Sequence, residues 1–499
     1  MSSVDPRAPD LKAPDLETPG PKGLLDDLGS ALRPDQVLTD PDVMESLSHD
    51  DAEWAPWQLP AAVVRADSAA DVQAVVRTAI AHRVPVVPRG SGTGLSGGAN
   101  ATAGCIVIDL SRMNQIKIID PLERLAVVEP GVINDDLRAA VAEQGLWYPP
   151  DPASSPWSSI GGNVATNAGG VCCVKYGVTR DYVLGLELVT GRGELVRIGK
   201  RTAKGVAGYD LTSLLVGSEG TLGVVTEITV RLRRARPSEH TVVGYFDSIT
   251  DAGLAVTRLA EAGVVPSALE LVDRQCLQAV DAWKNMGLSA DANVILLGRT
   301  DAPGSSGAEE AAAMVAAFDA GGATWSAQTD DPAEGDALFA ARRLAYPALE
   351  RLGPVLTEDI CLPLRLVPAM LARIEQIAAD HQTTIANIAH VGDGNLHPLL
   401  ITPIGDDDAR RRAQAAFADI IAGCLELGGT VTGEHGVGLL KLNGLAAELD
   451  PVVQQMQADV KAALDPYGIL NPGKAVVTPS PIRAADGSRT EAPPPHPHH

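Results

Sequence analysis

Ile388-Ala389-His390-Val391-Gly392-Asp393-Gly394-Asn395-Leu396-His397-Pro398 is the stretch around which the rest of the chain is read. Apolar runs flank Asp393-Gly394, a dipeptide suited to the two positive φ angles of a type I′ hairpin turn. With that turn, Gly392 faces Asn395, Val391 faces Leu396 and His390 faces His397. Directly opposed Cβ atoms are about 5 Å apart, so two imidazoles placed there can share one metal ion. The third ligand must come from elsewhere, and Gly433-Glu434-His435-Gly436 offers an acid and an imidazole in a glycine-rich bend. Two hairpin histidines can also simply pack together. The combination with Glu434-His435 is what favours a metal.

Around this hairpin, apolar periodicity predicts strands over residues 241–246, 293–297 and 384–389. It predicts helices over 252–262, 308–318, 366–379 and 409–427. That order fits helices on one face of a mainly antiparallel sheet. Arg233-Arg234-Ala235-Arg236-Pro237 reads as the boundary with a different upstream region. There, a strand over 61–66 leads to a helix over 69–82 with Ser68 as its N-cap. A second strand, over 84–87, runs into Pro88-Arg89-Gly90-Ser91-Gly92-Thr93-Gly94. Small residues after a buried strand expose main-chain N–H groups to a phosphate. The pattern is neither a Walker loop nor G-x-G-x-x-G, and a merely flexible Gly/Ser loop is the rival reading. Short strands are predicted over 105–110, 116–119, 125–128 and 224–232, a helix over 134–144 and a hairpin over 183–198. Gly161-Gly162-Asn163 through Gly170 and Gly217-Ser218-Glu219-Gly220 through Gly223 are two further small-residue segments. Three such segments in one region suggest a large cofactor lying across a sheet edge.

With 499 residues the chain is long enough for two or three domains. A net charge of −23 argues against nucleic acid as a partner. No cysteine pair has C-x-x-C spacing, so no cysteine-held iron–sulfur cluster is expected, and all six thiols are read as reduced, as in the cytoplasm. No apolar run is long enough to cross a membrane. The closing Pro495-His496-Pro497-His498-His499 is read as a loose tail rather than a metal site.

In chain order, Pro88-Arg89-Gly90-Ser91-Gly92-Thr93, Gly161-Gly162-Asn163 through Gly170, residues 204–210 and residues 217–223 resemble flavin-domain signatures of one family. The 390–397 hairpin, Gly433-Glu434-His435-Gly436 and Asn471-Pro472-Gly473-Lys474 resemble its catalytic-domain signatures. The family is the vanillyl-alcohol oxidase and p-cresol methylhydroxylase group of FAD-linked flavoproteins. Within it the chain resembles the branch of 2-hydroxyacid dehydrogenases that holds glycolate oxidase, D-lactate dehydrogenase and D-2-hydroxyglutarate dehydrogenase. The resemblance spans about residues 34–474. It implies an α+β, two-domain flavoprotein: a p-cresol methylhydroxylase-type FAD-binding domain and a catalytic cap with helices on a mainly antiparallel sheet. The expected divisions are a disordered arm at 1–33, the FAD domain at 34–235, a substrate- and metal-binding cap with a C-terminal helical return at 236–475, and a disordered tail at 476–499.

The resemblance further implies non-covalent FAD, held by Pro88, Arg89, Gly90, Ser91, Gly92, Thr93 and Gly94, by Asp151, Gly161, Gly162, Asn163, Thr166 and Gly169, and by Glu219, Gly220, Gly223, Val224 and Asn471. It places one divalent metal, for which Zn, Mn and Fe are all suited, on His390, His397 and Glu434. His435 is then the base, and Arg342, Asn395 and His435 contact the substrate, with Arg343 the rival to Arg342. The expected reaction is FAD-dependent oxidation of a small D-2-hydroxy acid to the 2-oxo acid. Thr357 and Leu399 stand where hydroxyglutarate dehydrogenases are understood to carry Lys and Asn for a distal carboxylate, so D-lactate or glycolate is favoured over D-2-hydroxyglutarate. The electron acceptor is a quinone, an electron-transfer protein or oxygen, and the sequence is compatible with a homodimer. A metal-dependent hydrolase is the reading from another class.

Overall fold

The computed structural model describes residues 23–477, except 203, 238 and 289–291. The expected disorder of 1–22 and of 478–499, the histidine-containing tail included, lies outside the described residues. Residues 24–31 belong to the arm expected to be disordered, yet they form a helix, Leu24–Ala31. Leu24 and Leu28, one turn apart, are buried in the core beside helix Ala69–His82. The prolines upstream extended the apparent arm too far, and the i, i+4 leucine pair is a helix face.

The first region builds two sheets. Ala62–Arg65 and Val86–Arg89 both run parallel to the central Ile106–Asp109, and Val37–Leu38 adds an antiparallel edge. Helix Ala69–His82 makes the crossover, and Ser68 caps it by accepting from Asp71 N. The strand Val86–Arg89 releases the chain into the 90–98 loop at the carboxyl end of the parallel strands, where ligand sites open in such sheets. The second sheet is antiparallel, in the order Ile116–Asp120, Leu125–Val128, Val224–Arg231, Val183–Val189, Leu195–Gly199.

The later part forms an eight-stranded sheet. Its path runs Trp325–Thr329, His240–Phe246, Val294–Thr300, Ala268–Asp273, Thr384–His390, Asn395–Ile401, Val355–Thr357, and Ile360–Cys361 also pairs with Asn395–Ile401. Every pairing in it is antiparallel. Helices cover both faces rather than the one face expected. Val242, Leu271 and Leu296 pack in a core with helices Ile249–Glu261, Ser305–Ala320, Val367–Asp380 and Asp407–Glu426. The alternate residues Val243, Val272, Ile295 and Leu297 pack with Arg274–Lys284 and Pro332–Glu350. Those two helices, and the strand Ala268–Asp273, were not read from the sequence. A strand buried on both faces loses its alternation and cannot be told from a buried helix segment by period alone.

After helix Pro451–Leu464 the chain returns to the first region. Val86 N donates to Ile469 O and Asn471 N to Val86 O, both at 2.8 Å, so Leu470 bridges Val86 as a short parallel addition.

Candidate active site

The hairpin joins Thr384–His390 to Asn395–Ile401, with a register that differs from the expected one. His390 pairs with Asn395, Ala389 with Leu396 and Ile388 with His397. The connection is the four residues 391–394 and not a two-residue type I′ turn. Gly394 alone among them has positive φ, 83°, and Asp393 N donates back to His390 O at 3.3 Å. Asp393 therefore does not take the left-handed conformation that a type I′ turn requires at its first central residue. The two-residue shift preserves the alternation, so His390 and His397 remain on one face as diagonal neighbours, their ring centroids 5.1 Å apart.

Glu434 completes the group. Its Oε1 lies 3.3 Å from His390 Nε2 and 3.4 Å from His397 Nε2. The three donor atoms lie within 4.8 Å of one another, a set that could hold a metal ion. Burial alone would favour a neutral acid, but His390 and His397 hold the Glu434 carboxyl well below its ordinary range. Burial likewise opposes charge on His390, yet Glu270 and Glu434 raise its pKa well above the usual imidazole value. His435 behaves differently: burial pushes it down to about 4, with Asp359 opposing.

Glu270 and Asp359 were not singled out in the sequence, and both stand behind the histidines. Glu270 follows the register Leu271↔Ala389, Val272↔Ile388 one step further, which sets it across from His390. It is fully buried, with Oε1 2.6 Å from His390 Nδ1 and Oε2 2.9 Å from Arg342 Nε. A carboxylate on Nδ1 leaves Nε2 free to ligate. Glu270 had a legible signal: it lies inside an apolar run, Ala268-Leu269-Glu270-Leu271-Val272, where an unpaired charge would be costly, whereas Asp359 follows Thr357 and Glu358 and carries no such mark.

Above this cluster opens a cavity whose far wall is the glycine segments. Residues 88–94, Gly161, Gly162, Asn163, Thr166, Glu219, Gly220 and Gly223 line it, as do Arg342, Arg343, His390, His397, Glu434 and His435. Gly92 adopts φ 80°, a backbone conformation that residues with side chains rarely take, so glycine suits the tight turn of the loop there. The main-chain wall suits a flat, polar cofactor. Five expected contact residues do not line the cavity. Asp151 accepts from Cys172 N at 3.0 Å and faces Arg138. Gly169 lies beneath Glu434, where a side chain would collide with the carboxylate. Val224 is a fully buried core strand residue. Asn471 donates to Gly98 O at 2.9 Å and Glu219 O at 2.7 Å, buttressing the loops from behind. Asn395 donates to Asp359 Oδ1 at 2.8 Å and Ile360 O at 3.0 Å and is turned away from the cavity.

Glu219 also reaches across to the bend at residues 433–436. It accepts from Val437 N at 2.8 Å and Gly438 N at 2.9 Å, and burial pushes its carboxyl up to about 7. A residue of the glycine-loop region thus holds the main chain two residues beyond His435.

Fold and cavity together define a two-domain flavoprotein of the p-cresol methylhydroxylase type. Residues 60–199 match the family model for an FAD binding domain, and residues 236–475 match that for FAD linked oxidases, C-terminal domain. Glycolate oxidase subunit GlcD of Bacillus subtilis is 42% identical over 83% of this chain and 89% of its own length. D-lactate dehydrogenase of Anaerostipes hadrus is 32% identical over 89% of this chain and 95% of its own. The solved structure of p-cresol methylhydroxylase with substrate bound aligns with a TM-score of 0.78 at 18% identity, over 91% of this chain and 96% of that one. The chain belongs to the family of FAD-linked oxidases and is an FAD-dependent oxidoreductase. All six cysteines are free thiols, and no helix among the described residues is long and apolar enough to cross a membrane.

Proposed function

We propose that this enzyme oxidises a small D-2-hydroxy acid, D-lactate or glycolate, to the 2-oxo acid. The observation that carries the reading is one cavity walled on one side by the glycine segments and on the other by Arg342, His390, His397, Glu434 and His435. The relatives named for glycolate and D-lactate support the same substrate class.

FAD, when bound, supplies the hydride acceptor. A divalent metal fits His390, His397 and Glu434, because two imidazole Nε2 atoms and an ionised carboxylate converge there and Glu270 holds the outer nitrogen of His390. Such an ion lowers the pKa of a hydroxyl group bound to it. Arg342 is fixed through Nε by Glu270 and offers its remaining N–H groups to the substrate carboxylate. His435 lines the same cavity, and its buried Nδ1 has no hydrogen-bond partner. It takes the hydroxyl proton as hydride leaves C2. Thr357, Ile388 and Leu399 add no charge to the substrate wall, which favours one-carboxylate substrates over D-2-hydroxyglutarate. The six free thiols support a cytoplasmic site of action.

Anaerobic mixing of the yellow enzyme with D-lactate, glycolate and D-2-hydroxyglutarate tests the reading. Flavin bleaching by one of the first two, faster than by the third, is expected. A flavin that none of the three bleaches overturns it.

A further inference from the structure

The donors of the proposed site come from two segments far apart in sequence, the 390–397 hairpin and the 433–435 bend. One buried side chain touches both. Asp359 Oδ2 accepts from Thr432 Oγ1 at 2.7 Å, Gly433 N at 3.0 Å, Glu434 N at 2.9 Å and His435 N at 2.8 Å. Its Oδ1 accepts from Asn395 Nδ2 at 2.8 Å and lies 3.6 Å from His397 Nδ1. Consecutive main-chain N–H groups closing on one oxygen form an anion-binding nest, here filled by the protein's own carboxylate. Asn395, the hairpin partner of His390, ties the other oxygen to the strand that carries His397.

We propose that Asp359 is the positioning residue that sets the bend against the hairpin, fixing Glu434 and His435 relative to His390 and His397. Its charge also favours a proton on His397 Nδ1, the nitrogen 3.6 Å away that has no hydrogen-bond partner of its own. A proton on Nδ1, facing the carboxylate, leaves the Nε2 lone pair aimed at Glu434 Oε1. Lys441, also buried, balances the charge: its Nζ lies 3.8 Å from Asp359 Oδ2 and 3.3 Å from Glu358 Oε2. A neutral amide cannot replace this carboxylate, because one of its two ends is a donor. Facing the bend, that end meets four donors; facing the hairpin, it meets Asn395 Nδ2 and reverses the preference of His397.

The inference rests on the proposed metal-assisted oxidation, so its test reads metal binding separately from turnover. FAD-loaded wild type, Asp359→Asn and Asn395→Leu are titrated with Zn²⁺ by calorimetry, and flavin reduction is then followed anaerobically at saturating Zn²⁺. Asp359→Asn should keep its flavin spectrum and bind Zn²⁺ about 10–100-fold more weakly, the usual scale for losing an outer-shell partner. It should also reduce its flavin at least about 10²-fold more slowly with saturating substrate, since a displaced base loses most of its effect. Asn395→Leu cuts only the hairpin side and should weaken Zn²⁺ binding about 10-fold, which provides a reading if Asp359→Asn does not fold. Wild-type Zn²⁺ affinity and reduction rate in a folded Asp359→Asn would overturn the positioning role. So would unchanged Zn²⁺ affinity in Asn395→Leu. A wild-type protein that binds no Zn²⁺, or is not reduced by any hydroxy acid, would instead overturn the functional reading beneath it.

Discussion

Replacing His435 with asparagine tests proton transfer separately from metal binding, two roles proposed above for adjacent residues. His435 Nε2 lies 3.9 Å from Glu434 Oε1, further than the 3.3 and 3.4 Å of His390 and His397, so removing the ring leaves the three-donor set in place. What the fold loses is the stacking of His435 on His397, with centroids 4.9 Å apart and planes 13° from parallel. Such ring pairs contribute about 0.5–1.5 kcal/mol beyond the area they bury, so the cost to stability should be modest. The rate should fall far more. General-base catalysis contributes about 10²–10⁴-fold, or roughly 3–5 kcal/mol of barrier. The assay is anaerobic stopped-flow reduction of bound flavin at saturating substrate, with metal content measured on the same preparation. The expected variant keeps FAD and metal and loses rate. Near wild-type reduction would refute the base assignment, and loss of metal would mean that the roles of Glu434 and His435 are exchanged.

Other outcomes follow from the same geometry. Glu270→Gln weakens the hold on both His390 Nδ1 and Arg342 Nε, so metal affinity should drop about 10–100-fold with a rise in KM; unchanged metal content and KM would dismiss Glu270 as a second anchor. Dialysis against a chelator should abolish turnover while the visible flavin spectrum persists, with recovery on adding Zn²⁺ or Mn²⁺; full activity after verified metal removal would count against the metal. Burial raises Asp50 to about 6, so its folded form holds a proton that the unfolded chain releases near pH 4. The stability this provides is present below about pH 4 and is lost as pH rises through about 6. Going from about pH 8 to about pH 5 should therefore stabilise flavin-free wild type by about 1–2 kcal/mol relative to Asp50→Asn, and parallel denaturation curves for the two proteins would contradict it.

Much of this was legible because local chemistry and tertiary structure agree. Helix Ala69–His82 has its cap at Ser68 and buries Val72, Val75, Val76 and Ala79, the face its period marks. The glycine segments were found because close approach to a ligand demands small residues wherever they fall in the chain. The hairpin was found but its register was not. Asp-Gly permits a type I′ turn, yet tertiary contacts override the preference: Gly392 N donates to Leu269 O in the neighbouring strand. The pairing of His390 with Glu270, and of the 433–435 bend with Asp359, depends on contacts more than 70 residues apart. No local period encodes such pairings, although an acid stranded in an apolar run marks where one must exist.

The return of residues 469–474 has a consequence for the order in which the protein is made. Ile469 and Leu470 complete the core around Val86 and Ile106, Asn471 ties the 98 and 219 loops together, and Lys474 donates to Asn100 O. All of these partners leave the ribosome hundreds of residues earlier. The nascent first region therefore waits, with an apolar strand edge and two untethered ligand loops, until residues 469–474 have been synthesised. Burial of a large aliphatic side chain contributes about 1.5–3 kcal/mol, so the closing segment matters to a half-built sheet. Cofactor capture becomes a late event in biosynthesis, and a chain that stops before residue 469 should leave the ribosome colourless.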